Sequence, residues 1–297
     1  MRTSQNAKFI ALNVASMLIG VVIGSSGLMT TLAWQATSLQ AATANPQEHA
    51  LDANLYMQTA AEYQAVCLQT YNLATERLRQ KLAATHHAGA TPAVVMDLDE
   101  TVLDNSAFQS FLDRDKLNHS DALWGIWERD FPQEVGLIPG AKAFIEAAEQ
   151  LGVTVVYLSN RDEKLRNSTI AALRQNGLSL ERIDNRLLLK TTTSDKTERR
   201  KIAEGRFNAL IYLGDNLRDF SEEFKAPQLA SNDEAGQKKA IAERADRVRR
   251  ANYHWGNDWF ILPNPVYGEW QRLCGDNPRG KLKVTAMKQV GQFNAIH

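Results

Sequence analysis

Ala93-Val94-Val95-Met96-Asp97-Leu98-Asp99-Glu100-Thr101-Val102-Leu103-Asp104 joins an apolar run to two aspartates one residue apart. A short apolar run of this kind reads as a buried strand, with the carboxylates at its C-terminal end. In open α/β sheets ligands bind outside the carboxyl ends of the strands. Side chains alternate along an extended chain, so Asp97 and Asp99 point one way while Leu98 points into the protein. Two carboxylates held so close repel unless a cation or a shared proton offsets them. The pair therefore calls for a metal, a proton, or both.

Outward from that strand, apolar runs alternate with helical patterns. Strands are expected at Val153–Leu158, Arg186–Leu189, Ala209–Leu213 and Trp259–Leu262. Helices are expected at Pro139–Leu151 with proline in the first turn, at Asp162–Asn176 closed by Gly177, at Asp195–Glu204 closed by Gly205, and at about Asp233–Arg250. This alternation predicts an α/β fold with a mostly parallel sheet flanked by helices. Upstream, residues from about Asp52 to Ala84 repeat with helical period through Tyr63, Cys67, Tyr71, Ala74 and Leu78, as one long helix or two stacked ones, ended by His86-His87-Ala88-Gly89. Between Asn105 and Val135 the chain is polar and aromatic, with Phe108, Phe111, Trp124, Trp127 and Phe131. Lying over a strand's C-terminal end, that insertion is a candidate cap.

The chain has 297 residues, 44% apolar and 23% charged, with 34 basic and 34 acidic side chains. That is room for one α/β domain with a modest second unit. The balanced charge recommends neither nucleic acid nor a membrane surface as partner. The N-terminus differs: Arg2 and Lys8 precede a mostly apolar stretch from Phe9 to Trp34, and no acidic residue occurs before Glu48. Residues 1–44 read as a secretory signal cleaved after Ala42-Thr43-Ala44, or as an uncleaved anchor that would be the only membrane contact. Both readings place the body outside the cytoplasm, in the periplasm or cell envelope. The two cysteines, Cys67 and Cys274, would stabilise an exported fold by roughly 5 kcal/mol if bridged; otherwise they are two separate buried thiols.

Later strand ends bring further polar groups: Ser159-Asn160-Arg161 after the second, Lys196 at a helix start beyond the third, and Asp215, with Asn216 and Asp219, after the fourth. Strands of one parallel sheet bring these groups together. A hydroxyl, an ammonium and several carboxylates in one crevice suit phosphoryl transfer. Carboxylate oxygens bind Mg²⁺, the lysine and hydroxyl contact phosphate oxygens, and a carboxylate can itself be the nucleophile. Lys190 competes with Lys196 for the lysine position. Ser159 taken alone would cap the next helix, Trp124 and Trp127 are either cap core or a platform for a nucleobase, and His86, His87 and His119 read as surface residues.

Asp97-Leu98-Asp99-Glu100-Thr101, Leu158-Ser159-Asn160-Arg161, Lys196 and Gly214-Asp215-Asn216-Leu217-Arg218-Asp219-Phe220 resemble the four ordered motifs of the haloacid dehalogenase (HAD) superfamily of phosphohydrolases. Ala60-Ala61-Glu62-Tyr63, Ile138-Pro139-Gly140-Ala141, Leu187-Leu188-Leu189-Lys190 and Trp255-Gly256-Asn257-Asp258-Trp259-Phe260-Ile261-Leu262-Pro263-Asn264 with Tyr267-Gly268 narrow the resemblance to the class C acid phosphatases, which include surface-lipoprotein 5′-nucleotidases. It covers roughly residues 50 to 275. It implies a three-layer, Rossmann-like HAD fold with a small helical cap: a phosphatase domain over 45–275, a cap insertion over about 105–137 and a tail over 276–297. The cap would also draw on the N-terminal helix.

The resemblance also implies roles. Asp97 would be the nucleophile and Asp99 the acid that protonates the leaving oxygen and then activates water. Mg²⁺ would be held by Asp97, the Asp99 backbone carbonyl and Asp215. Ser159 and the Asn160 N–H would bind phosphate, Lys196 would offset charge, and Asp219 would orient the lysine or a metal-bound water. The lipidated cysteine of the lipoprotein members is missing, which favours a soluble exported enzyme or one tethered by its leader. The implied substrate is a small phosphomonoester such as a nucleoside 5′-monophosphate. The competing readings are a surface protein for a haem-like ligand with a vestigial site, and a phosphotransferase using the same site.

Overall fold

In the computed structural model, residues 50–84 and 90–283 are described. The leader, His86 and His87, and most of the tail lie outside the described residues. Among the described residues no helix is long and apolar enough to cross a membrane.

Five strands form one parallel sheet in the order β5-β4-β1-β6-β7: β1 (Pro92–Met96), β4 (Thr154–Asp162), β5 (Leu187–Lys190), β6 (Asn208–Gly214) and β7 (Trp259–Ile261). β1 is central and buried on both faces, which is why it reads as an unbroken apolar run. Val94, Met96 and Leu98 enter one core with Val155 and Tyr157 of β4; Ala93 and Val95 enter the other with Val156 and Leu158. The larger core is covered by α2 (Ala61–Ala84), α5 (Ala141–Gln150) and α6 (Arg166–Gln175); the smaller one packs Ala203 of α8 (Thr197–Arg206). These are the three layers of an α/β sandwich. Further helices are α1 (Leu51–Thr59), the single turns α7 (Ile183–Arg186) and α10 (Glu269–Arg272), and α9 (Glu234–Arg250).

The loop after β1 folds back tightly. Leu98 O accepts from both Val102 N and Leu103 N at 2.8 Å, and Glu100 takes the left-handed region at φ +54°. A short antiparallel pair follows, β2 (Leu103–Asp104) with β3 (Gly136–Leu137). Between them lie α3 (Ser106–Arg114) and α4 (Asp121–Asp130), whose Phe108, Trp124 and Trp127 rings pack on one another. α1 packs against α3, so the N-terminal helices abut this insertion.

Several sequence expectations shift. The Asp52–Ala84 periodicity is two helices, broken where Ala60 turns extended. Pro139 stands outside α5; the N-cap is Gly140 at φ +90°, where a Cβ would press on Tyr71 at 3.0 Å. Gly205 does not close α8, which runs on to Arg206 until Phe207 becomes extended and feeds β6. Cys67 and Cys274 are both free thiols, the first buried against Tyr63 and the second near Trp270, so no bridge links them.

Candidate active site

The strand ends converge as a parallel sheet requires. Lys196 Nζ lies 2.6 Å from Asp97 Oδ1 and 2.6 Å from Asp219 Oδ1. Carboxylate oxygens of Asp97, Asp215 and Asp219 all lie within 4.8 Å of one another. Above them opens a cavity of about 440 Å³, walled by Asp99 and Asn160 from the sheet, Trp124 and His119 from the insertion, and Tyr267 from the segment after β7. Loop length selects Lys196 over Lys190, which stays on β5 in register with Asp162.

Each carboxylate has its own environment. Burial pushes Asp97 up to about 7; the Lys196 ammonium opposes this, while Asp219 and Asp99 add to it. Asp215 is raised well above the usual carboxylate range by burial and by Asp219 and Asp97, although Asn264 Nδ2 donates to its Oδ2 at 2.8 Å. Burial works against the Lys196 charge, but Asp219 and Asp97 hold it above its ordinary value. Asp219 is occupied on both oxygens, by Lys196 and by the Asn216 N–H at 2.8 Å. It thus stands beside the lysine and holds it. Three close carboxylates facing one ammonium leave an excess of buried negative charge. Hard oxygen donors with that excess fit a divalent cation of the Mg²⁺ type.

Asp99 sits apart from that cluster. Its Oδ1 accepts from Arg161 Nε at 2.8 Å and from Asn105 Nδ2 at 3.0 Å. Ser159 is fully buried and its Oγ accepts the Arg161 N–H at 3.1 Å; Asn160, not Ser159, reaches the cavity wall. Arg199 clasps this turn, donating to Ser159 O and, at 2.6 Å, to Asn160 Oδ1. The two tryptophans divide: Trp127 is buried and donates to Asn105 Oδ1 at 2.9 Å, while Trp124 faces the cavity and donates to Glu128. His119 is surface-exposed but on the cavity wall, edge-on to Phe108.

Sequence reasoning missed Arg199, Asn105 and Glu128, and left Asn264 and Tyr267 without roles. Tyr267 donates its hydroxyl to buried Glu100, next to Asp99. Only the closeness of Asn105 to the first motif offered a signal; Arg199 is one of several arginines on a charged helix.

Residues 20–270 match the family model described as HAD superfamily, subfamily IIIB (acid phosphatase). Two solved structures are similar throughout: the class C acid phosphatase from Bacillus anthracis, and the same enzyme with tungstate bound. Each is 27% identical with a TM-score of 0.69, and each match covers 81% of this chain; it covers 99% of the first and 98% of the second.

Proposed function

Because the chain belongs to subfamily IIIB of the HAD superfamily, the acid phosphatases, and is a phosphomonoesterase hydrolase, we propose that it cleaves small phosphomonoesters through an aspartyl-phosphate on Asp97. The observation that carries this reading is Lys196 Nζ, 2.6 Å from both Asp97 and Asp219. It fixes a carboxylate beside a cation at the mouth of a cavity large enough for a small ester. The family uses a divalent metal, and the donor set favours Mg²⁺. Asp97, the Asp99 carbonyl and Asp215 would hold it, where it supplies Lewis acidity toward phosphate oxygens.

Asp97 attacks phosphorus as the ester P–O bond breaks, and the electron pair departs with the leaving oxygen, which takes a proton from Asp99. Water then attacks the phosphorus of the aspartyl-phosphate and loses its proton to Asp99, and the bond to Asp97 opens to release phosphate. Lys196 offsets charge on Asp97 and the phosphoryl group. Asn160, held by Arg199, donates to the phosphate, with Ser159 buttressing the turn. The α3–α4 insertion serves as the cap, and Trp124 with Tyr267 favours a planar group such as the base of a nucleoside 5′-monophosphate. The leader, outside the described residues, exports the enzyme to the periplasm or cell envelope.

Asp97→Asn should fold normally and lose turnover of p-nitrophenyl phosphate by about 10³-fold or more. Retention of most activity sinks the nucleophile. A substrate panel with nucleotides no better than sugar phosphates sinks the nucleotide preference.

A further inference from the structure

Arg161 is a fully buried guanidinium that the mechanism has not used. Its Nε donates to Asp99 Oδ1 at 2.8 Å, and its Nη2 lies 2.8 Å from that same oxygen. Nη2 also donates to Asn105 Oδ1 at 3.0 Å. Asn105 returns the contact through Nδ2, 3.0 Å from Asp99 Oδ1, and is itself fixed by Trp127 of α4 and by its own N–H on Glu100 Oε1 at 3.0 Å. The guanidinium carbon lies 5.9 Å from the ring of Trp124, so the cap closes over it.

The consequence is geometric. Asp99 Oδ1 is surrounded by N–H donors from Arg161 and Asn105, and an oxygen that meets only donors has no room for a proton of its own. Among the described residues no group takes Oδ2. We propose that Arg161, braced by Asn105 from the cap, is the positioning residue of the acid–base step. It locks the Asp99 side chain and confines the exchangeable proton to Oδ2, the oxygen left for the substrate. This ties acid catalysis to a formed cap, because Asn105 begins α3 and hangs from α4. The inference rests on the assignment of Asp99 as the acid.

The test uses leaving groups. p-Nitrophenolate departs without a proton, whereas an alkoxide such as the ribosyl 5′-oxygen of AMP needs one. The value of kcat/KM reports the first chemical step for both. Arg161→Lys, which lacks the planar pair of N–H groups that grips Asp99 Oδ1, should lower kcat/KM for AMP by about 10-fold or more beyond its effect on p-nitrophenyl phosphate. The inhibition constant of inorganic phosphate should stay within about 3-fold, since phosphate contacts lie elsewhere. Asn105→Ala should show the same selectivity more weakly, and it carries the test alone if the lysine variant does not fold. Equal losses on both esters, or a phosphate constant that rises with the loss, overturn the proposal. Asp99→Ala runs beside them. If it shows no leaving-group selectivity, the acid assignment fails and the inference falls with it. If it shows selectivity and the other variants do not, the positioning role alone is wrong.

Discussion

Among the described residues Asp215 has one hydrogen bond, from Asn264, and Asp219 has two, from Lys196 and the Asn216 N–H. That difference separates two chemically identical side chains, in keeping with the proposal that Asp215 serves the metal while Asp219 holds the lysine. Orienting groups of this kind are worth about 10–100-fold in metal affinity. Asn264→Ala should therefore raise the Mg²⁺ concentration needed for half-maximal activity by about that factor, with full activity recovered at high Mg²⁺. A titration of activity against Mg²⁺ checks it; an unchanged midpoint removes Asn264 from the metal's support. The aspartates and Lys196 were legible in sequence because each follows a strand end, and topology gathers strand ends. Asn264, Arg199 and Arg161 were not. Which donor a carboxylate or carbonyl receives depends on placements between residues 49, 40 and 62 positions apart.

At the level of elements, the end of β6 shows how backbone sets side-chain chemistry. A Cβ on Gly214 would collide with the Cβ and carboxylate of Asp219. The glycine lets the helical turn after β6 fold back so that Asp219 reaches both Asn216 N and Lys196. Gly214→Ala should shift Asp219 and cost about 10²-fold in kcat/KM, the scale expected for a misplacement near 1 Å. Steady-state kinetics alongside a melting curve checks it; unaltered kinetics would show that Asp219 need not be held there. β1 and the first part of β4 were readable because burial on both faces leaves an unbroken apolar run. Helix boundaries were less so: Gly205 reads as a stop, yet α8 continues until the chain must extend into β6.

For the whole molecule, buried carboxylates make stability depend on both pH and metal. Asp97 and Glu128 each rise to about 7 by burial, above an ordinary value of about 4. Between those values the folded chain keeps protons that the unfolded chain has released. Their stabilisation is complete below about 4 and lost as pH rises through about 7. In EDTA the melting temperature should fall from pH 5 to pH 7, less steeply in Asp97→Asn. Mg²⁺ should raise it more at pH 7 than at pH 5, because the cation binds the ionised cluster. Thermal melts at the two pH values check the sign, and an Mg²⁺ effect larger at pH 5 contradicts it.

The segment after β7 carries a consequence for the order in which the enzyme comes into being. Asn264 and Tyr267 reach back to Asp215 and Glu100 from the far end of the chain. A polypeptide emerging from the ribosome has the proposed nucleophile, acid and lysine by Lys196. It does not gain the Asn264 contact on Asp215, the proposed metal ligand, or the tyrosine that bonds Glu100 beside Asp99, until some seventy residues later. Nascent chains, and fragments that stop before Asn264, therefore lack both contacts.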